Sequence, residues 1–107
     1  MPVLYLDEQN FKKETEDQTL PIVLDFYADW CGPCQILAPI LEEVAKEFEE
    51  KVKVGKINVD KSPDLATKFQ VMSIPTLIFL KNGEKVNEAM GAMEKEELKK
   101  RFEELLK

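Results

Sequence analysis

A chain of 107 residues with 44% hydrophobic and 34% charged residues has the length and composition of one soluble globular domain, large enough to bury a core without metals or a disulfide framework. Its net charge of −6 and its lack of histidine disfavour nucleic acid or an anionic membrane as partner, and exclude Ser-His or Cys-His catalysis and a Cys/His zinc set. No apolar run approaches the ~20 residues of a membrane-spanning helix. The opening Met1-Pro2-Val3-Leu4-Tyr5-Leu6-Asp7 shows neither a basic leader nor an apolar signal stretch, so the expected location is the cytoplasm, a reducing compartment.

In chain order, Val3 to Leu6 reads as a short strand. Asp7 is placed to N-cap a helix, with Leu6 and Phe11 spaced as a hydrophobic staple. Ile22-Val23-Leu24-Asp25-Phe26-Tyr27 is nearly all apolar, the pattern of a strand covered on both faces in a parallel sheet. A cysteine motif follows, and then a helix in which Ile36, Leu37, Ile40, Leu41, Val44, Ala45 and Phe48 recur at helical spacing and are expected in the core. Pro39 lies inside that pattern and is expected to kink the helix, since it removes one backbone donor.

Val52 to Val59 reads as a third strand, and Pro63 to Phe69 as a short helix capped by Ser62. Thr76 to Leu80 is a fourth strand, and Asn82-Gly83 a tight-turn signal leading into a fifth that runs to about Met90. The last helix buries Leu98, Phe102 and Leu105, while Glu96 with Lys100, Glu97 with Arg101 and Glu103 with Lys107 fall at i,i+4 on its solvated face. The order β-α-β-α-β-α-β-β-α predicts an α/β fold of one domain over 1–107: a mixed five-stranded sheet, parallel strands first and a hairpin last, with helices on both faces.

Both cysteines of the chain fall in Cys31-Gly32-Pro33-Cys34. Two thiols at this spacing can carry two electrons as a dithiol or a disulfide. As a structural staple the bridge would contribute little: closing so short a loop is worth about 2 kcal/mol of unfolded-state entropy, against about 4.7 for a hundred-residue loop. A bridge that stabilises little is better suited to be opened and remade.

Trp30-Cys31-Gly32-Pro33-Cys34 after an apolar strand, with Ile74-Pro75-Thr76 some forty residues on, resembles the thioredoxin family. The resemblance runs over essentially the whole chain, including Asp25, Pro39, Lys56, Gly83 and Gly91. A lone CxxC is shared with zinc sites and haem attachment, but Cys-Gly-Pro-Cys in this setting is specific. Two positions depart from the family pattern. Gln35 stands where Lys or Arg is usual, and Tyr27 where many members have Trp.

The resemblance implies a thiol–disulfide oxidoreductase that reduces protein disulfides. Cys31, at the start of the helix beside unpaired N–H groups and the positive end of the dipole, would be the nucleophile and Cys34 the resolving thiol. Gly32 and Pro33 would tune the redox centre, Pro33 fitting the first helical turn and Gly32 leaving the sulfur open to approach. Asp25 interrupts an apolar strand, where an ionised carboxylate would be costly to bury alone, and Lys56 is a charge on the strand face carrying Val52 and Val54. The two could snorkel to solvent independently or share one site; the resemblance implies the second, with Asp25 accepting the proton of Cys34 and Lys56 tuning it. It also implies a cis Ile74-Pro75 bond and a docking surface of Trp30, Ile74, Pro75, Gly91 and Ala92, on which the Ile74 backbone pairs with an extended substrate segment. Met72 and Met93 either border that surface or pack in the core.

By the same resemblance the chain is a monomer without a cofactor, takes electrons from a thioredoxin reductase, and serves disulfide-containing targets such as ribonucleotide reductase, peroxiredoxins and methionine sulfoxide reductases. Two rival functions are an oxidase or isomerase of the same fold and a non-redox subunit of a partner's complex. The Gly-Pro dipeptide argues against the first, and the presence of Asp25 with both cysteines against the second.

Overall fold

In the computed structural model, which describes residues 2–17 and 19–107, nine elements follow one another in the expected order: β1 (Leu4–Leu6), α1 (Phe11–Thr15), β2 (Ile22–Tyr27), α2 (Gly32–Glu47), β3 (Lys53–Asn58), α3 (Pro63–Lys68), β4 (Thr76–Lys81), β5 (Glu84–Met90) and α4 (Lys95–Leu105). The five strands form one sheet in the order β1-β3-β2-β4-β5. β3 runs parallel to both β1 and β2, while β4 runs antiparallel to β2 and β5 antiparallel to β4.

Alternation along the strands divides the core into two layers. Val23, Val54, Leu77 and Phe79 meet Leu37, Leu41 and Val44 of α2 and Leu98, Phe102 and Leu105 of α4 on one face. Leu24, Phe26, Ile57 and Ile78 meet Phe11 of α1 and Leu65 of α3 on the other. β2 is buried on both sides because every residue from Ile22 to Phe26 faces one of these layers. At the hairpin, Asn82 and Gly83 both take positive φ (54° and 80°), the backbone that makes this dipeptide a tight turn.

One local expectation is refined and two are corrected. α1 is regular from Phe11, with Asn10 at its N-cap position, so the helix starts later than directly after Asp7. The turn leading into it is still capped by Asp7: its carboxylate accepts from the Gln9 and Asn10 N–H groups, the Asn10 amide oxygen accepts from the Asp7 N–H, and the Asp7 carbonyl accepts the Phe11 N–H at 3.0 Å. Ile36 is 62% exposed rather than in the core, because it lies about 100° round the helix from the line of Leu37, Leu41 and Val44. Of the three i,i+4 pairs on α4, only Glu97–Arg101 forms among the described residues, at 3.1 Å. Lys95 and Lys99 instead reach across to Glu47 of α2.

Pro39 is accommodated within α2, which continues unbroken to Glu47. Ser62 occupies the N-cap position of α3 without a side-chain cap bond. The Glu8 carboxylate supplies that acceptor from a distance, taking the Asp64 N–H at 2.7 Å. No helix among the described residues is long and apolar enough to cross a membrane.

Candidate active site

β2, the central strand, ends at Tyr27, and Ala28-Asp29-Trp30 carries the chain from its C-terminal end into α2. Cys31 is the N-cap of that helix, with extended backbone (φ −89°, ψ 110°). Extended backbone at an N-cap turns the side chain back over the first helical turn, and the Cys31 Sγ accepts the Cys34 N–H at 3.2 Å. Pro33 lies in that first turn, where its missing donor costs nothing. The two cysteines are joined as a disulfide, their Cα atoms 5.2 Å apart. Both sulfur-bearing residues are buried with Ala28, and Tyr27, Val59 and Ile74 pack against them. A Cβ at Gly32 would meet nothing within 4 Å, so Gly32 borders open space beside the bridge.

Asp25 lies two residues before Tyr27 on the same face of β2, and Lys56 is its register partner on β3. The Asp25 residue is 1% exposed, and its Oδ2 is 3.9 Å from Lys56 Nζ, whose side chain is 11% exposed. The two charges therefore share one site. Burial pushes the Asp25 carboxyl up to about 6, and the Lys56 ammonium opposes that rise. The other oxygen, Oδ1, is buried with no hydrogen-bond partner among the described residues. A half-satisfied carboxylate is costly in such a place, so this group readily holds a proton. Lys56 also lines a cleft of about 140 Å³ with Cys34, Gln35 and Ala38, which brings the ammonium and the second cysteine to one space.

The Ile74-Pro75 peptide bond is cis. Ile74 packs against the cysteine cluster, and the Gly91 N–H donates to the Pro75 carbonyl at 2.8 Å, bringing Gly91 and the exposed Ala92 beside it. Gly91 has φ +87°, a backbone that glycine adopts without strain. Trp30 is 71% and Met72 92% exposed, so Met72 faces solvent, whereas Met93 packs against the core under α4.

Four residues at this end of the molecule take parts that sequence reasoning does not assign. Asp60 Oδ2 accepts the Trp30 indole N–H at 2.8 Å, a contact across thirty residues with no sequence signal. Gln35 donates its amide to the Asp29 carbonyl at 2.8 Å. Ile36 and Met90 add exposed apolar surface; for Ile36 the angular position on the helix is the available signal. Among the described residues no group of three or more His, Cys, Asp or Glu could hold a metal ion.

The sequence profile of the thioredoxin family matches residues 2–104. Thioredoxin 1 of Nostoc sp. is 41% identical over 99 residues, 92% of each chain. The thioredoxin of Rickettsia felis is 43% identical over 91 residues, 85% of this chain and 87% of its own. A chloroplastic M-type thioredoxin of Pisum sativum is 46% identical over 86 residues, 80% of this chain and 50% of its own.

Proposed function

Because the chain belongs to the thioredoxin family, and is a thiol–disulfide oxidoreductase that reduces protein disulfides, we propose a division of labour among its site residues. In the reduced protein the Cys31 thiolate attacks one sulfur of a target disulfide, forming a mixed disulfide and releasing the first target thiolate. Asp25 takes the Cys34 proton. The Cys34 thiolate then attacks Cys31 Sγ, closing the Cys31–Cys34 bridge and releasing the second target thiolate. Two electrons pass from this chain to the target.

The observation that carries this order is the position of Cys31 Sγ at the N-terminus of α2, accepting the Cys34 N–H. Backbone donors and the helix dipole favour a thiolate there. Asp25 is the base because its carboxyl, raised to about 6, is close to working pH. Lys56 sets how readily it accepts the proton. Gly32 and Pro33 keep the first turn open and helical. Targets dock on Trp30, Ile74, Pro75, Gly91 and Ala92, with an extended segment along the Ile74 backbone.

The reading extends to the chain as one monomeric domain in the cytoplasm, supplied with electrons by a thioredoxin reductase and serving targets such as ribonucleotide reductase, peroxiredoxins and methionine sulfoxide reductases. Family membership supports these partners. Disulfide reduction with dithiothreitol or a thioredoxin reductase as donor tests the roles. Cys31→Ser abolishes turnover, and Cys34→Ser traps one mixed disulfide per chain, from which targets can be identified. Turnover that survives Cys31→Ser overturns the assignment of the nucleophile.

A further inference from the structure

Lys56 is held from two sides. Its Nζ lies 3.9 Å from Asp25 Oδ2 and 4.6 Å from the centroid of the Tyr27 ring. Both neighbours come from the same face of β2, where residues two apart line up. On the other flank of Lys56, Tyr5 of β1 is its register partner, and Asn58 is the partner of Tyr27. We propose that Tyr27 is a positioning residue that pins the Lys56 ammonium against the Asp25 carboxylate, so that the ring and not the ion pair alone decides where the cation stands.

A lysine stem is long enough to swing its ammonium into water, and 3.9 Å is the outer limit of an ion pair. What keeps Lys56 at 11% side-chain exposure therefore needs a second attraction. The face of a neutral phenol supplies one, since its quadrupole draws a cation within about 6 Å. Burial first, then Tyr5 and Asp29, hold the Tyr27 hydroxyl's proton on more firmly than usual, so the ring stays neutral throughout the working range. The groups facing the pair are Tyr5 from β1, Tyr27 from β2, Asp29 from the β2–α2 connection and Cys34 from α2. Asp7 and Lys61 line the adjoining groove with Tyr5, Tyr27 and Lys56. Tyr27 is thus the aromatic face between two clefts that both expose Lys56.

The inference rests on Asp25 and Lys56 acting in the reaction as proposed above, but its test follows the carboxyl directly. The Asp25 carboxyl is titrated by its carbon-13 shift in the disulfide form, where Cys34 does not ionise. Losing the ring in Tyr27→Leu frees Lys56 and raises the Asp25 midpoint by about half a unit, roughly a threefold change in proton affinity. Tyr27→Phe keeps the ring face and leaves the midpoint in place. In a Lys56→Leu background Tyr27→Leu adds no further rise.

A midpoint that stays, or falls because water now reaches Asp25, overturns the proposal. So does a rise that persists without Lys56. In the unaltered protein the Lys56 ε-methylene protons should lie upfield under the ring current, and ordinary shifts there overturn it without any substitution. Should the carboxyl titration move while the acid limb of the reduction rate does not, the role of Asp25 as base fails and the positioning by Tyr27 stands.

Discussion

Asp25 with Lys56 and Glu47 with Lys95 are both carboxylate–ammonium pairs, the first 3.9 Å apart inside the protein and the second 2.9 Å apart on its surface. Their carboxyls move in opposite directions. Burial raises Asp25 to about 6 against the pull of Lys56, whereas hydrogen bonds from Lys95 and Lys99 lower Glu47. Water makes the difference. On the surface it solvates the charged form already, and the cations only add to that. Inside, the charged form has lost its solvent, and one ammonium near the outer distance limit does not replace it. A pair of the same chemistry therefore keeps its carboxylate charged on α2 and α4, and holds a proton more readily between β2 and β3.

The largest break in that comparison is Asp25→Ala. A folded-state carboxyl at about 6, against 3.8 in the unfolded chain, binds its proton more tightly when folded. Its contribution to stability is present below pH 3.8 and lost as pH rises through about 6. Above that, the penalty is about 3 kcal/mol at 1.4 kcal/mol per unit, reduced somewhat because Lys56 loses its partner. Asp25→Ala should therefore be more stable than the unaltered protein in denaturant at pH 8, with the advantage shrinking toward pH 4. It should also reduce disulfides roughly tenfold or more slowly, since water is a weaker base at Cys34. Stability and activity move in opposite directions, as at other functional sites. A less stable and fully active variant would make Asp25 a structural partner of Lys56 only.

Asp25 stands out in the sequence because it breaks an apolar strand, where a charge demands a partner or a path to water, whereas its sharing one site with Lys56 is implied by the family resemblance. The same directness holds for β2, whose continuous apolar run needs cover on both faces, and for Asn82-Gly83, whose dipeptide names its own backbone. Legibility fails where a contact depends on how elements sit against each other. Glu47 with Lys95 joins α2 to α4, a contact to which i,i+4 spacing within one helix is blind. Asp60 meets Trp30 only because β3 crosses beside β2. The cis bond before Pro75 follows from family resemblance, since proline statistics alone favour trans. Ile36 fails for a different reason: counting apolar residues without their angle on the helix places in the core one that belongs outside.

Lys56→Leu sharpens the comparison with a smaller effect. It removes the one cation that opposes burial at Asp25, so the carboxyl midpoint should climb above about 6. The window in which stability is lost with rising pH then extends upward, and the variant should be less stable at pH 8 by about 1.4 kcal/mol per added unit. Its reduction rate should show an acid limb displaced to higher pH, with the plateau reached later. Unfolding curves across pH, read beside the rate profile, check both. An acid limb that does not move would separate Lys56 from the proton transfer, whatever its effect on the fold.

Glu47→Gln should do least, and its smallness is informative. Glu47 accepts from Lys95 at 2.9 Å and lies 3.3 Å from Lys99, which makes it the most connected ion-pair carboxylate joining α2 and α4 among the described residues. Counting bridges would rank it above Asp25. Yet all three side chains are about a third exposed, and exposed pairs surrender most of their attraction to solvent and salt. Glu47 holds its charge more firmly than usual, so whatever it contributes is present at neutral pH and is lost only as pH falls through the carboxylate range. At pH 8 the denaturation midpoint of Glu47→Gln should match that of the unaltered protein in about 0.5 M salt (a concentration at which the Debye length is well below ~10 Å), and its reduction rate should be unchanged. A large, salt-insensitive loss would mean that the α2–α4 pair is shielded from water after all, and would erase the distinction between the two pairs.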